Sequence, residues 1–255
     1  MTRIPDDVLA FEIGGSTIGE RLRQAIEAGT VVQRDDGMIE LPRREEDRQW
    51  LSVDNGPPLD CRFLNWFLFN QVYGESAVPS GCRDCYKIKV VAQNLRELVA
   101  LYGIAAKIDC RSKWGIDFFN QHSANVYAGY FYLSGLDAAR ALYPIVRRLI
   151  DADPKLGSHV PILIKRACSN YEAAVGPSDK FTFSPELAEV ESKLRRSITL
   201  AEKDSVTPHS APQLTKHLYG SWIRFAYQLG DTTYLDFTGG RPLHRKSVTY
   251  DPATQ

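Results

Sequence analysis

The chain has 255 residues, 44% hydrophobic and 24% charged, which excludes a disordered polymer and suffices for one large domain or two small ones. Its 31 Lys and Arg balance its 31 Asp and Glu, so bulk charge selects neither nucleic acid nor an acidic surface, and any basic site must be local. No apolar run approaches the roughly 18 residues of a membrane span, and Met1–Gly15 lacks the basic start and apolar stretch of an export signal. The expectation is a cytoplasmic protein with no membrane partner.

In chain order, Gly14-Gly15-Ser16 leads into an amphipathic pattern over Thr17–Ala28, with Ile18, Leu22, Ala25 and Ile26 on one face and Ser16 as the expected N-cap. The two glycines read as a plain helix start. Val31–Leu41, broken by Asp36-Gly37, predicts a hairpin. A charged segment, Arg43–Arg48, and a Gly-Pro-Pro break at 56–58 follow. Leu59–Tyr73 is apolar and aromatic enough for a buried helix.

The middle third alternates most regularly. Tyr86–Ala92 has the period of a half-buried strand. Asn94 and Glu97 have capping spacing before a stripe of Leu95, Leu98, Val99, Tyr102, Ala105 and Ala106. Lys113–Phe119 and Val126–Leu133 are two further strands, joined by the polar loop 120–125. Ser134 is the expected cap of a second helix with Ala139, Leu142, Tyr143, Val146, Leu149 and Ile150 on one face. Pro161–Ala167 is a fourth strand.

Strand, helix, strand, strand, helix, strand is the ferredoxin-like βαββαβ arrangement, placed at about 85–168 of an α+β fold. Right-handed crossovers set its strands in the spatial order 4-1-3-2. The last third predicts a charged helix over Pro185–Ala201, a polar linker at 206–212, a helix over Leu214–Leu229 and an extended tail, Thr232–Tyr250. The organisation expected is an N-terminal helical and hairpin segment (1–80), the ferredoxin-like core (81–175) and a C-terminal helical segment with a tail (176–255), integrated as one domain.

Five cysteines in a reducing compartment are free thiols or metal ligands rather than a disulfide framework. Cys82 and Cys85 form C-x-x-C before the first central strand, Cys110 precedes the second, and Cys168 closes the fourth. The 4-1-3-2 order brings all four to one rim. A thioredoxin-like pair starts a helix, whereas this one opens onto a strand, which favours metal. Two local knuckles are the usual zinc pattern and only one is present, so a [4Fe–4S] cluster on Cys82, Cys85, Cys110 and Cys168 is preferred over zinc.

Arg83, Lys87, Arg111, Lys113, Lys165 and Arg166 lie near the same rim, as cations that would stabilise an anionic cluster and clamp an anionic substrate. Cys61, in an apolar segment, reads as packing, with a role as replacement ligand for Cys110 or Cys168 left open. Glu172, four residues beyond Cys168, is a candidate proton-transfer group. The five histidines (122, 159, 209, 217 and 244) lack zinc-helix spacing, and the basic loop around His244 is as well explained as a solvated tail.

The function expected is a metal–thiolate protein using an iron–sulfur cluster for redox or cluster-dependent chemistry on an anionic small molecule. The alternative is a zinc-stapled module that binds nucleic acid or protein. Lys87 and Lys89 on one sheet face, with Tyr127, Tyr130, Phe131 and Tyr132 making either face of the third strand partly aromatic, suit the latter, although the Lys/Arg-Gly-aromatic signature of RNA-recognition modules is absent.

Overall fold

The computed structural model describes residues 4–42, 50–56, 59–117, 121–200, 211–248 and 250. The charged segment at 43–48 therefore lies outside the described residues, as do His209, most of the 206–212 linker and the end of the strand expected to reach Phe119.

The fold is mixed α+β. A short helix α1 (Asp6–Leu9) precedes a tight hairpin of β1 (Glu12–Ile13) and β2 (Ser16–Thr17). Its two turn residues, Gly14 and Gly15, have φ of 58° and 76°, so they form a turn that needs positive φ rather than a plain helix start. Helix α2 (Ile18–Glu27) is capped by Thr17, not Ser16, through a reciprocal box with Glu20. β3 (Val32–Gln33) and β4 (Ile39–Leu41) form the expected hairpin around Gly37.

β5 (Trp50–Val53) was not anticipated. It buries Leu51 and Val53 and pairs antiparallel with residues 112–115. The apolar segment after it is a π-helix, Arg62–Val72, with Phe63, Phe67, Leu68, Phe69 and Val72 buried. Such i→i+5 windings concentrate at functional sites.

The main sheet contains β5, β6 (Cys85–Ala92), β7 (Ser112–Ile116), β8 (Tyr127–Ser134) and β9 (Ile162–Arg166), in the order β5-β7-β8-β6-β9, every neighbour antiparallel. Helices α3 (Leu95–Ala105) and α4 (Leu136–Ala152) cover one face of it. There Ile88, Val90, Trp114, Ile116 and Phe131 meet Leu98, Leu101, Val146 and Ile150 in one core. Helix α4 starts after Gly135 at φ 92°, not from a Ser134 cap, because Ser134 still pairs with Cys85 at the end of β8.

Helix α5 (Ser169–Val175) follows β9 directly. The expected helix over Pro185–Ala201 is shorter. α6 (Pro185–Arg195) ends there, and β10 (Ile198–Leu200) pairs parallel with β4. Helix α7 (Ala211–Gln228) adds Trp222 and Ala226 to the main core. The tail is not extended at its start, since Thr232–Phe237 winds into a 3-10 turn. Asp231 caps that turn and joins it to the sheet, accepting hydrogen bonds from Thr233 N (2.9 Å), Leu95 N (2.7 Å) and Tyr127 Oη (2.8 Å).

A second core unites α2, the π-helix, β4 and α6. Glu191 of α6, itself buried, ties it to the turn that carries Cys82. Its carboxylate accepts from Tyr73 Oη (3.0 Å), Ser80 N (2.6 Å) and Gly81 N (3.1 Å). Burial raises the Glu191 pKa, and these three hydrogen bonds only partly offset it. A raised carboxylate pKa means that the folded state holds its proton more tightly than the unfolded chain. Stability is therefore expected to fall as pH climbs from the ordinary carboxylate range through Glu191's own titration, and to level off above it. Glu191→Gln removes that step but leaves one backbone N–H facing an amide NH2, at a cost of about 1–3 kcal/mol. Urea unfolding of both proteins across pH checks the two effects together.

Candidate thiolate site

All five cysteines are free, and all five line one cavity of about 710 Å³ at the edge of the sheet where β6 begins and β9 ends. Each arrives by a different route. Cys82 ends the 3-10 turn Ser80–Cys82, and Cys85 is the first residue of β6. Cys61 immediately precedes the π-helix. Cys168 follows β9 and occupies the N-cap position of α5.

The turn into Cys168 is strained. Ala167 has φ 52°, a left-handed conformation that costs a residue with a Cβ roughly 1 kcal/mol, and its N–H is anchored on Cys85 O at 2.8 Å. That bond binds the C-x-x-C segment to the Cys168 turn. Cys82 is buried, and a 3.4 Å hydrogen bond joins its Sγ to Tyr171 Oη of α5. Tyr171 stacks tilted on Phe69 of the π-helix at 4.3 Å, which closes the inner wall.

The cysteines of the expected set, Cys82, Cys85, Cys110 and Cys168, all line the cavity, but their surroundings differ. Cys110 borders the cavity, but its thiol contacts the carbonyls of Arg111 and Tyr132, each at 3.5 Å. Burial raises its pKa, and the only charge among its main influences is Asp109. Cys61, expected as packing, lines the same cavity and feels the charges of its neighbouring thiols. Burial pushes it up to about 11, and the charges of Cys168 and Cys85 add to that while Lys87 and Lys113 oppose it. Burial likewise raises Cys82 well above the usual thiol value, with Cys168, Cys85 and Cys61 adding to the shift. Cys85 is raised by burial and by Cys168 against the pull of Lys87 and Lys165.

Among the described residues, no three His, Cys, Asp or Glu side chains stand close enough together to hold a single metal ion. The four sulfurs of the expected set thus do not converge as a compact tetrahedral site. A polynuclear cluster takes thiolates spread more widely around a cavity than one ion does.

Of the six predicted cationic clamps, Lys87 is the one engaged with the thiols. It is buried, and its Nζ donates to Cys168 Sγ at 3.1 Å. Burial works against its charge, but Cys168, Tyr132, Cys85 and Cys61 outweigh burial and keep its pKa high. Lys113 lies 4.2 Å from the centroid of the Trp50 ring, and Lys165 donates to Ser169 Oγ (2.6 Å) and Glu172 (3.4 Å). Glu172, the suggested proton carrier, is thus paired with Lys165.

The arginines serve the framework. Arg166 donates to Arg83 O (3.0 and 2.7 Å) and Ser178 O (3.1 Å), and both Arg83 and Arg166 sit over the Phe183 ring. Arg111 pairs with Asp54 at 3.0 Å on the cavity rim. The histidines stay away from the thiols where their side chains are described: His159 meets Glu97 at 3.2 Å, and His244 packs on Tyr227.

No described helix is long and apolar enough to cross a membrane. No protein-family model, curated protein sequence or solved structure matches this chain.

Proposed function

We propose that this chain is an iron–sulfur protein of the cytoplasm, with its cluster held in the thiol-lined cavity by Cys82, Cys85, Cys168 and Cys61, and with Cys110 at the margin. The observation that carries the reading is that five cysteines from four separate stretches of chain line one cavity, beside a buried lysine. Thiolates are the usual ligands of such clusters, and a cation donating to a ligand sulfur stabilises an anionic centre. The order and pairing of β6–β9 support reading the central unit as ferredoxin-like.

When bound, a cluster supplies one-electron chemistry or, at an iron without a protein ligand, a Lewis acid. The chain's own part is to bury the thiols, to neutralise their charge through Lys87 and to present the cationic sheet face to an anionic substrate. Zinc is the second reading, as a staple for a nucleic-acid- or protein-binding module. Its compact ligand set is not formed among the described residues.

The test is purification without oxygen, followed by absorption spectroscopy with iron, acid-labile sulfide and zinc analysis. A brown protein with matching iron and sulfide is expected. A colourless protein with stoichiometric zinc would transfer the site to the second reading. Colourless, metal-free material that also resists reconstitution with iron and sulfide would end both.

A further inference from the structure

The sheet face opposite α3 and α4 concentrates lysines. Register fixes them in two cross-strand rows. In the first, Ser52, Lys113, Tyr130, Lys89 and Leu163 lie side by side across five strands. In the second, Tyr132, Lys87 and Lys165 are adjacent. Lys87 and Lys165 are thus direct cross-strand partners, an arrangement of like charges that destabilises a sheet unless an anion compensates it.

Among the described residues, the acids that face this cluster are few. Glu172 pairs with Lys165, and Asp117 acts by charge on Lys89 and Lys113. Among the described residues, neither Lys87, Lys89 nor Lys113 forms a carboxylate ion pair; Lys87 donates to Cys168 and Lys89 to Asn125 (3.0 Å). Burial and mutual repulsion lower the pKa values of Lys89, Lys113 and Lys165. Among the described residues, four cations therefore face two carboxylates and a set of thiols.

The chemistry of the face narrows the ligand. Arginine forks, which grip carboxylate and phosphate alike in a fixed plane, are engaged elsewhere on carbonyls and Asp54, leaving ammonium groups that act as point charges on anionic oxygens, as in lysine-based phosphate sites. Strand spacing of about 4.8 Å over the three steps from β7 to β9, and alternate-residue spacing of about 6.8 Å, spread the lysine roots over a patch of roughly 14 by 7 Å, wider than one phosphate group. Trp50 and Tyr130, 5.9 Å apart and half-buried, flank Lys113 at one end.

We propose that this face binds a ligand carrying two or more phosphate groups, with Lys89, Lys113 and Lys165 as direct partners and Lys87 linking it to the thiols. This deepens the cluster reading by naming the substrate class, but it stands on the sheet register alone. Inorganic pyrophosphate is the probe, titrated calorimetrically into the protein as purified, with iron and sulfide measured in the same sample. Pyrophosphate is expected to bind at least about tenfold more tightly than inorganic phosphate and to raise Tm. Lys89→Gln and Lys113→Gln are each expected to weaken it by about tenfold, the loss of one charge-assisted hydrogen bond.

The proposal is overturned by absence of both heat and Tm shift, or by undiminished binding in Lys89→Gln, whose half-buried site tolerates the change. Tighter binding of a single-stranded oligonucleotide than of pyrophosphate also overturns it. Protein that binds pyrophosphate but stays iron-free even after reconstitution with iron and sulfide would sink the cluster reading alone. Iron-loaded protein that ignores pyrophosphate would sink this one alone.

Discussion

Cys85→Ser, Cys168→Ser, Cys82→Ser and Cys61→Ser are each expected to strip the protein of bound iron and sulfide, to less than about a tenth of the unaltered content. Cys110→Ser is expected to retain them. The contrast follows from placement. Cys82, Cys85, Cys168 and Cys61 influence one another by charge inside the cavity, whereas Cys110 faces two backbone carbonyls on its margin. Iron and sulfide per chain, read beside far-UV circular dichroism, decide the matter. Full cluster content in Cys61→Ser together with loss in Cys110→Ser would restore the set read from sequence and refute the one proposed from the fold. Unfolding of the single-cysteine variants without metal would assign the thiols to packing instead.

The second large effect concerns stability. Gly129→Ala is expected to destabilise the protein by about 3 kcal/mol or more, because an added Cβ would lie 2.0 Å from Trp114 Cε3. Trp114 is fully buried, held by its Nε1–H on Ser112 Oγ at 2.9 Å and edge-on to Phe131 at 5.4 Å, so it has nowhere to retreat. In thermal unfolding this corresponds to a fall in Tm of roughly 6–12 °C. Trp114→Ala alone costs about 3–5 kcal/mol by leaving a cavity. Because the two changes relieve each other, the double variant should lose clearly less than the sum. Strict additivity would mean that the close approach of Gly129 to Trp114 is not what the glycine serves.

Much of the architecture is written in local pattern. The alternation in 86–92, the helical stripes of α3 and α4 and the turn at Gly37 depend on neighbours in sequence, and the corresponding elements lie within a few residues of where periodicity puts them. Element ends were less legible. Ser16 and Ser134 have the chemistry of helix caps, yet Ser16 yields the cap to its neighbour Thr17, and Ser134 is held by Cys85, a strand partner that no local window contains. β10 was hidden for the same reason, since Ile198–Leu200 continues a helical composition and becomes a strand only by pairing with β4. β5 carried a usable signal in its alternating Leu51 and Val53, obscured by the charged run before it.

By itself the sequence determined that thiols and lysines exist in numbers and at strand ends that could bring them together. Spacing around C-x-x-C and the alternation of Lys87 with Lys89 are properties of the chain. Only the tertiary structure decided that all five cysteines share a cavity, and how each faces it. The π-helix, packed through Phe69 on Tyr171, brings Cys61 inward, while the β7–β8 pairing turns Cys110 toward carbonyls. Likewise, pairing of β6 with β9 set Lys87 opposite Lys165 and made separate cations into one charged face. Charges and ligands act over a few ångströms of space, and that proximity is set by packing between segments far apart in the chain.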